Sequence, residues 1–180
     1  MFDGSRVQQG GKRGLVCGLA CERDVGQDRS RYAMEVDAWP CFTIDCPTGE
    51  RVIGEEVNLE RAMAAHVRFG GHFVQAHVDT TVRVIDRTPD GDSVRLTFEL
   101  VDETMLPYLV PKGYAALDGA SLTLTFVDDE QRKFGVMLIK HTQEKITLGR
   151  KKVGSKVNLE VDMLGKYVQK SVAAALRSSK

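Results

Sequence analysis

Residues 52 to 162 predict a mainly β fold, a closed or nearly closed antiparallel barrel with a C-terminal α-helix behind it. Three observations predict it. Short β-rich runs follow one another between turn signals, several of them alternate polar and apolar residues, and after Asp162 the apolar period lengthens to about four. A fourth feature sets the domain plan. Gly54-Glu55-Glu56-Val57-Asn58-Leu59-Glu60 returns 100 residues later as Gly154-Ser155-Lys156-Val157-Asn158-Leu159-Glu160, identical at five of seven positions. A repeat of that period marks a duplicated module. About 100 residues precede the second copy and about half as many the first. We therefore expect a partial or diverged N-terminal module at 1–62, a complete barrel at 63–162 and a helix at 163–180.

The elements read as follows. Residues 1 to 50 are rich in glycine and lack periodicity, with one strand-like run, Cys41-Phe42-Thr43-Ile44. A strand is expected from Val78 to Asp86, a turn at Pro89-Asp90-Gly91-Asp92 and a strand from Ser93 to Val101. Its alternation puts Val94, Leu96, Phe98 and Leu100 on one buried face. Glu103 to Leu109 forms a short helix, the single small helix expected here, ended by Pro111 and Gly113. Ser121 to Phe126, Phe134 to Ile139 (after the polar turn Asp128 to Gln131) and Val157 to Val161 complete the strands. Five or six strands in about 100 residues suit a barrel. Beyond Asp162, Leu164, Val168, Val172 and Leu176 make a helical stripe beside Tyr167 and Ala175. That stripe is buried either on its own barrel or against another copy; the pattern does not choose.

Composition excludes several classes. Of 180 residues 42% are hydrophobic and 28% charged, the balance of a globular chain. Twenty-five basic residues match 25 acidic ones, which argues against nucleic-acid or anionic-membrane capture. No apolar run nears the roughly 20 residues that span a bilayer. Lys12 and Arg13 precede an apolar stretch too short, and broken by Gly18, to be a signal peptide, so a cytoplasmic location is expected. Cys17, Cys21, Cys41 and Cys46 fit a four-thiolate zinc site only loosely by spacing and are expected to be reduced thiols, with no metal.

Three stretches carry a family resemblance. They are Phe69-Gly70-Gly71-His72-Phe73-Val74-Gln75-Ala76-His77-Val78-Asp79-Thr80, Lys112-Gly113-Tyr114-Ala115-Ala116-Leu117-Asp118-Gly119-Ala120-Ser121-Leu122-Thr123, and Ile139-Lys140-His141-Thr142-Gln143 with Thr147-Leu148-Gly149. In this order and spacing, residues 53 to 175 resemble the riboflavin synthase family, fungal members most. The resemblance implies two six-stranded Greek-key barrels, each binding one 6,7-dimethyl-8-ribityllumazine, and a helix that makes a homotrimer. It implies dismutation of two lumazines to riboflavin and 5-amino-6-(D-ribitylamino)uracil without metal or separate cofactor. A proton leaves the 7-methyl group and a four-carbon unit moves, so the protein contributes positioning and proton transfer.

The resemblance also implies site residues. Ser121 and Thr123 match a Ser-Leu-Thr motif whose hydroxyls face the ligand, with Leu122 between them; alternation puts both on one strand face, a face that in an ordinary strand is simply half exposed. His77 matches a histidine implicated in proton handling, which a near-neutral pKa suits, between Ala76 and Val78 at the ligand. The family has glycine where Ala76 stands. Ile139, Lys140, His141, Thr142 and Gln143 match the stretch lining the lumazine ring, Thr147 follows it, and Lys112 matches a lysine near the ligand. Lys112 and His141 equally suit solvated turn and strand positions. Asp162 matches an aspartate near the site and equally suits a helix cap. The basic run Lys140 to Lys156 reads as solvated strands and turns. The family's N-terminal barrel carries its own copy of the Asp-Gly-x-x-Leu-Thr motif, and no such motif precedes Gly54. The alternative from the residues is a lumazine- or flavin-binding module without the N-terminal site.

Overall fold

The structure, a computed structural model, describes Asn58 and residues 70–178. The expected strand at Cys41–Ile44, the four cysteines and, apart from Asn58, the expected partial module all lie outside these residues.

Six strands close into an antiparallel barrel: β1 Thr80–Asp90, β2 Ser93–Leu100, β3 Tyr114–Leu117, β4 Ala120–Asp128, β5 Lys133–Leu138 and β6 Lys156–Val161, in the order β1-β2-β5-β4-β3-β6. Hairpins join β3, β4 and β5, and β2 returns beside β5, which makes a Greek key. Register shifts between Val84 and Asp86 and between Leu124 and Phe126 bend the two strands that carry them, as closure of so small a barrel requires.

The alternation in β2 puts Val94, Leu96, Phe98 and Leu100 inside, as expected, and Val82, Val84, Leu124, Phe134, Val136 and Leu159 meet them. Phe98 and Phe134 face each other across a paired register with ring centroids 5.2 Å apart. Such a pair contributes about 0.5–1.5 kcal/mol beyond its buried area.

Several expectations are corrected. The turn expected at Pro89–Asp92 shrinks to Gly91 and Asp92, and β1 runs on to Asp90 with Pro89 paired to Val94. Proline is tolerated there because β6 pairs only with Thr80 to Arg83, so Pro89 has a single neighbouring strand. The helix expected at Glu103 is a 3-10 helix, Glu103–Tyr108, whose first turn is capped by the Asp102 carboxylate on Thr104 N at 3.0 Å. It is not the single small helix. Helix α1, Lys140–Lys145, and a 3-10 turn, Thr147–Arg150, form where the basic run reads as strand and turn. Helix α2, Met163–Ser178, follows the barrel. Its stripe does not pack on the barrel: Leu164, Val168, Val172 and Leu176 are each more than half exposed, and Tyr108 holds Gln169 by a hydrogen bond near the helix start. Among the described residues no helix is long and apolar enough to cross a membrane.

Candidate functional site

The site lies outside the barrel, on the sheet face opposite the core. Across β4, β3 and β6 the pairing aligns Ser121 with Ala116 and Ala116 with Glu160. The next outward row contains Thr123 paired to Tyr114, followed by Asp162, one residue past the Ala115–Val161 pair. The first row is covered and the second is open. What covers the first is the extended segment 70–79, laid across the three strands.

This strap is pinned at three points. At β4, Ser121 Oγ accepts the His72 backbone N–H at 3.2 Å and lies 2.7 Å from His72 Nδ1. Gly71 lets it approach, since a Cβ there would collide with Ser121 Oγ and sit 2.7 Å from Ser121 Cβ. At β6, the Glu160 carboxylate accepts Gln75 N–H at 2.6 Å, His77 N–H at 3.1 Å and the Ala76 amide between them. At its end, Asp79 accepts Val161 N–H at 2.9 Å and pairs with Lys166 Nζ of α2 at 2.6 Å.

His72 is the most constrained ionisable group here. It is 8% exposed, its ring stacks on Tyr114 with centroids 5.5 Å apart and planes 9° from parallel, and Nε2 has no hydrogen-bond partner. Burial lowers its pKa, and the Asp162 carboxylate pulls the other way more weakly. The ring is therefore neutral near pH 7, with its unpartnered Nε2 buried. Sequence reasoning assigned His72 no role. The preceding Gly71 is the signal that marks a backbone pressed against a neighbour.

The expected site residues fall into three groups. Ser121 and Thr123 share the outer face of β4, partly and fully exposed, and Asp162 borders them while also accepting Leu164 N–H at 3.0 Å as the cap of α2. Continuing the Leu124–Val136 pairing along β5 sets Met137 beside Thr123 and Ile139 beside Ser121, both exposed. Ala76, His77 and Val78 lie in the strap, His77 exposed and Ala76 with φ 63°, a conformation that favours the family's glycine. Lys112 stands exposed just before β3, beyond the Tyr114–Thr123 pair, also with positive φ.

The remaining residues are engaged elsewhere. The Leu122 side chain belongs to the core. Gln143 Nε2 donates to Asp92 O at 2.9 Å and Leu138 O at 3.0 Å, so it ties α1 to the barrel. Lys140 and His141 are exposed on α1, and Thr142 O accepts the N–H that closes that helix. Thr147 N–H donates to Asn58 Oδ1 at 2.8 Å, while Asn58 Nδ2 donates to Asp118 O at 2.8 Å. Asn58, the described residue of the first repeat, thus touches the barrel through its carboxamide.

The family model described as Lumazine binding domain matches residues 75–162. Riboflavin synthase of Schizosaccharomyces pombe is 48% identical over 147 residues, 82% of this chain and 70% of that protein. The Meyerozyma guilliermondii riboflavin synthase is 46% identical, covering 84% of this chain and 63% of its own length. For the Saccharomyces cerevisiae riboflavin synthase the values are 43%, 69% and 53%. The chain thus spans between about half and seven-tenths of these relatives. The match to the first begins at or before residue 34, earlier than the boundary at 53 expected from the motifs. Among solved structures, LumP complexed with 6,7-dimethyl-8-(1'-D-ribityl) lumazine superposes with a TM-score of 0.54 at 20% identity, over 62% of this chain and 58% of that one. LumP complexed with riboflavin gives 0.57 at 16%, over 68% and 73%. At those identities the likeness is one of fold.

Proposed function

The chain belongs to the riboflavin synthase family, and we propose that it binds 6,7-dimethyl-8-ribityllumazine on the open row and dismutates two such molecules to riboflavin and 5-amino-6-(D-ribitylamino)uracil. The observation that carries this reading is the neutral, buried His72, stacked on Tyr114 and anchored by Ser121, next to the exposed Thr123. In the tautomer that suits this role, Nδ1–H donates to Ser121 Oγ. The Nε2 lone pair is then the unpartnered atom, and an orphaned acceptor costs less than an orphaned donor. His72 thus holds Ser121 and the strap in place, while the Thr123 hydroxyl donates to carbonyls or ring nitrogens on the heterocycle edge. His77, at the strap's exposed end, takes the 7-methyl proton, and Lys112 and Ile139 border the ligand.

Dismutation needs two lumazines face to face, so the second comes from an N-terminal module, of this or another subunit. We assign the exposed α2 stripe to a homotrimer seam and the reaction to the cytoplasm. No metal or further cofactor enters this scheme. Incubating the purified chain with dimethylribityllumazine tests it: one riboflavin should appear for every two substrates consumed. Tight binding at one site per chain without product would reject the enzymatic reading and leave a binding module. Removing α2 should reduce particle mass by light scattering, and unchanged mass per particle would reject the trimer seam.

A further inference from the structure

Glu160 is the strangest buried group outside the proton-handling cluster. It is 4% exposed on the outer face of β6, under the strap, with two oxygens that meet three consecutive amides, Gln75, Ala76 and His77. The left-handed Ala76 at the centre turns those amides into a concave cradle, the form in which backbone N–H groups hold anions. Here the anion is a side chain of the protein itself.

We propose that Glu160 is a positioning residue for the lumazine site: its carboxylate occupies the amide cradle and, through it, fixes where Ala76 and His77 stand beside the open row. Three observations support this. Glu160, Ala116 and Ser121 lie in one paired row, so the strap is clamped at both ends of that row, by Ser121 at Gly71–His72 and by Glu160 at Gln75–His77. Ala76 adopts a conformation that costs a non-glycine residue free energy and persists only where its surroundings over-determine it. And the carboxylate is buried: burial raises its pKa and outweighs the amides that lower it, with Asp79 adding a smaller upward push. The other charged groups near it are Lys166, paired to Asp79, and the exposed His77.

This inference rests on the proposed lumazine reading for its functional readout, but not for its structural one. In the full chain, Glu160→Gln should lower hydrogen-exchange protection of the amides of residues 75 to 77 at least tenfold, while protection in β2 and β5 stays unchanged. Lumazine affinity should fall about tenfold. In Glu160→Ala the emptied cradle should take up formate, restoring both protection and affinity, whereas the isosteric neutral formamide should restore neither. If Glu160→Ala does not fold, the glutamine variant decides by its exchange pattern. Unchanged protection at 75 to 77 in the glutamine variant, or equal rescue by formamide, would overturn the proposal. Should the wild-type chain fail to bind lumazine, the functional reading falls while the exchange experiment still judges the cradle.

Discussion

The two outward rows of β4, β3 and β6 are neighbours of similar make and opposite fate. Ser121, Ala116 and Glu160 lie beneath the strap, and Thr123, Tyr114 and Asp162 lie beside it. In the covered row the polar atoms that meet the strap meet its backbone and the His72 ring, so these residues set geometry. In the open row the polar groups face outward and can meet a ligand. A motif that lists Ser121 and Thr123 together therefore hides a division of labour: one hydroxyl holds the protein and the next is free for substrate.

The harshest way to break that division is Gly71→Val. Its branched Cβ has no room against Ser121, so the strap must lift at one end. The barrel core lies on the opposite face and should stay folded by circular dichroism, while lumazine affinity falls by more than about 100-fold, a loss of roughly 2.7 kcal/mol. Next is Ser121→Ala, which removes the partner of both His72 nitrogens at this contact. A buried polar group left unsatisfied costs about 1–3 kcal/mol, so titration by fluorescence should show a roughly 5- to 150-fold loss of lumazine affinity. Thr123→Ala should cost only about 1 kcal/mol, roughly fivefold in affinity with no change in Tm, because its hydroxyl supports no strap contact. A Thr123→Ala variant that loses stability instead would show that the open row is scaffold as well.

A smaller effect lies in pH. His72 has a folded pKa below its ordinary value, so below about 6.5 the unfolded chain takes up a proton that the folded one resists. Stability from this group is complete above the ordinary value and is lost as pH falls toward the depressed one. Glu160 has the opposite sign, since its raised pKa favours the fold at low pH and the contribution is lost as pH rises through the raised value. Chemical denaturation from pH 4 to 8 should therefore show that His72→Gln flattens the near-neutral part of the profile and Glu160→Gln the acid part. A wild-type slope that both variants retain would assign it to other groups.

Much of this was legible in the residues, and the misses have physical causes. β2, β4 and β6 showed alternation or the repeat, and the hydroxyl face of β4 followed from period two alone. β3 escaped because Ala115, Ala116 and Leu117 are buried in succession, which erases alternation; the strap above Ala116 is the reason. β6 shows the same effect, with Asn158 and Glu160 buried on the outer face while Val157, Leu159 and Val161 fill the core. Helix α1 has six polar or charged residues and no apolar stripe, so nothing in its pattern distinguishes it from a loop. His72 and Glu160 act through groups 49 and about 84 residues away, contacts that no local window contains.

Closure of the barrel has a consequence for assembly. Each of the six strands pairs on both sides over part of its length, and the stretches paired on one side only are short, the end of β1 carrying Pro89. Another copy of the chain finds little edge on which to extend this sheet, the route by which open β-proteins drift into ribbons and fibres. It meets side chains instead. Contact geometry is then written in residues that selection can tune one at a time, such as Leu164, Val168 and Val172, rather than in the repeating hydrogen bonds that any extended peptide can satisfy.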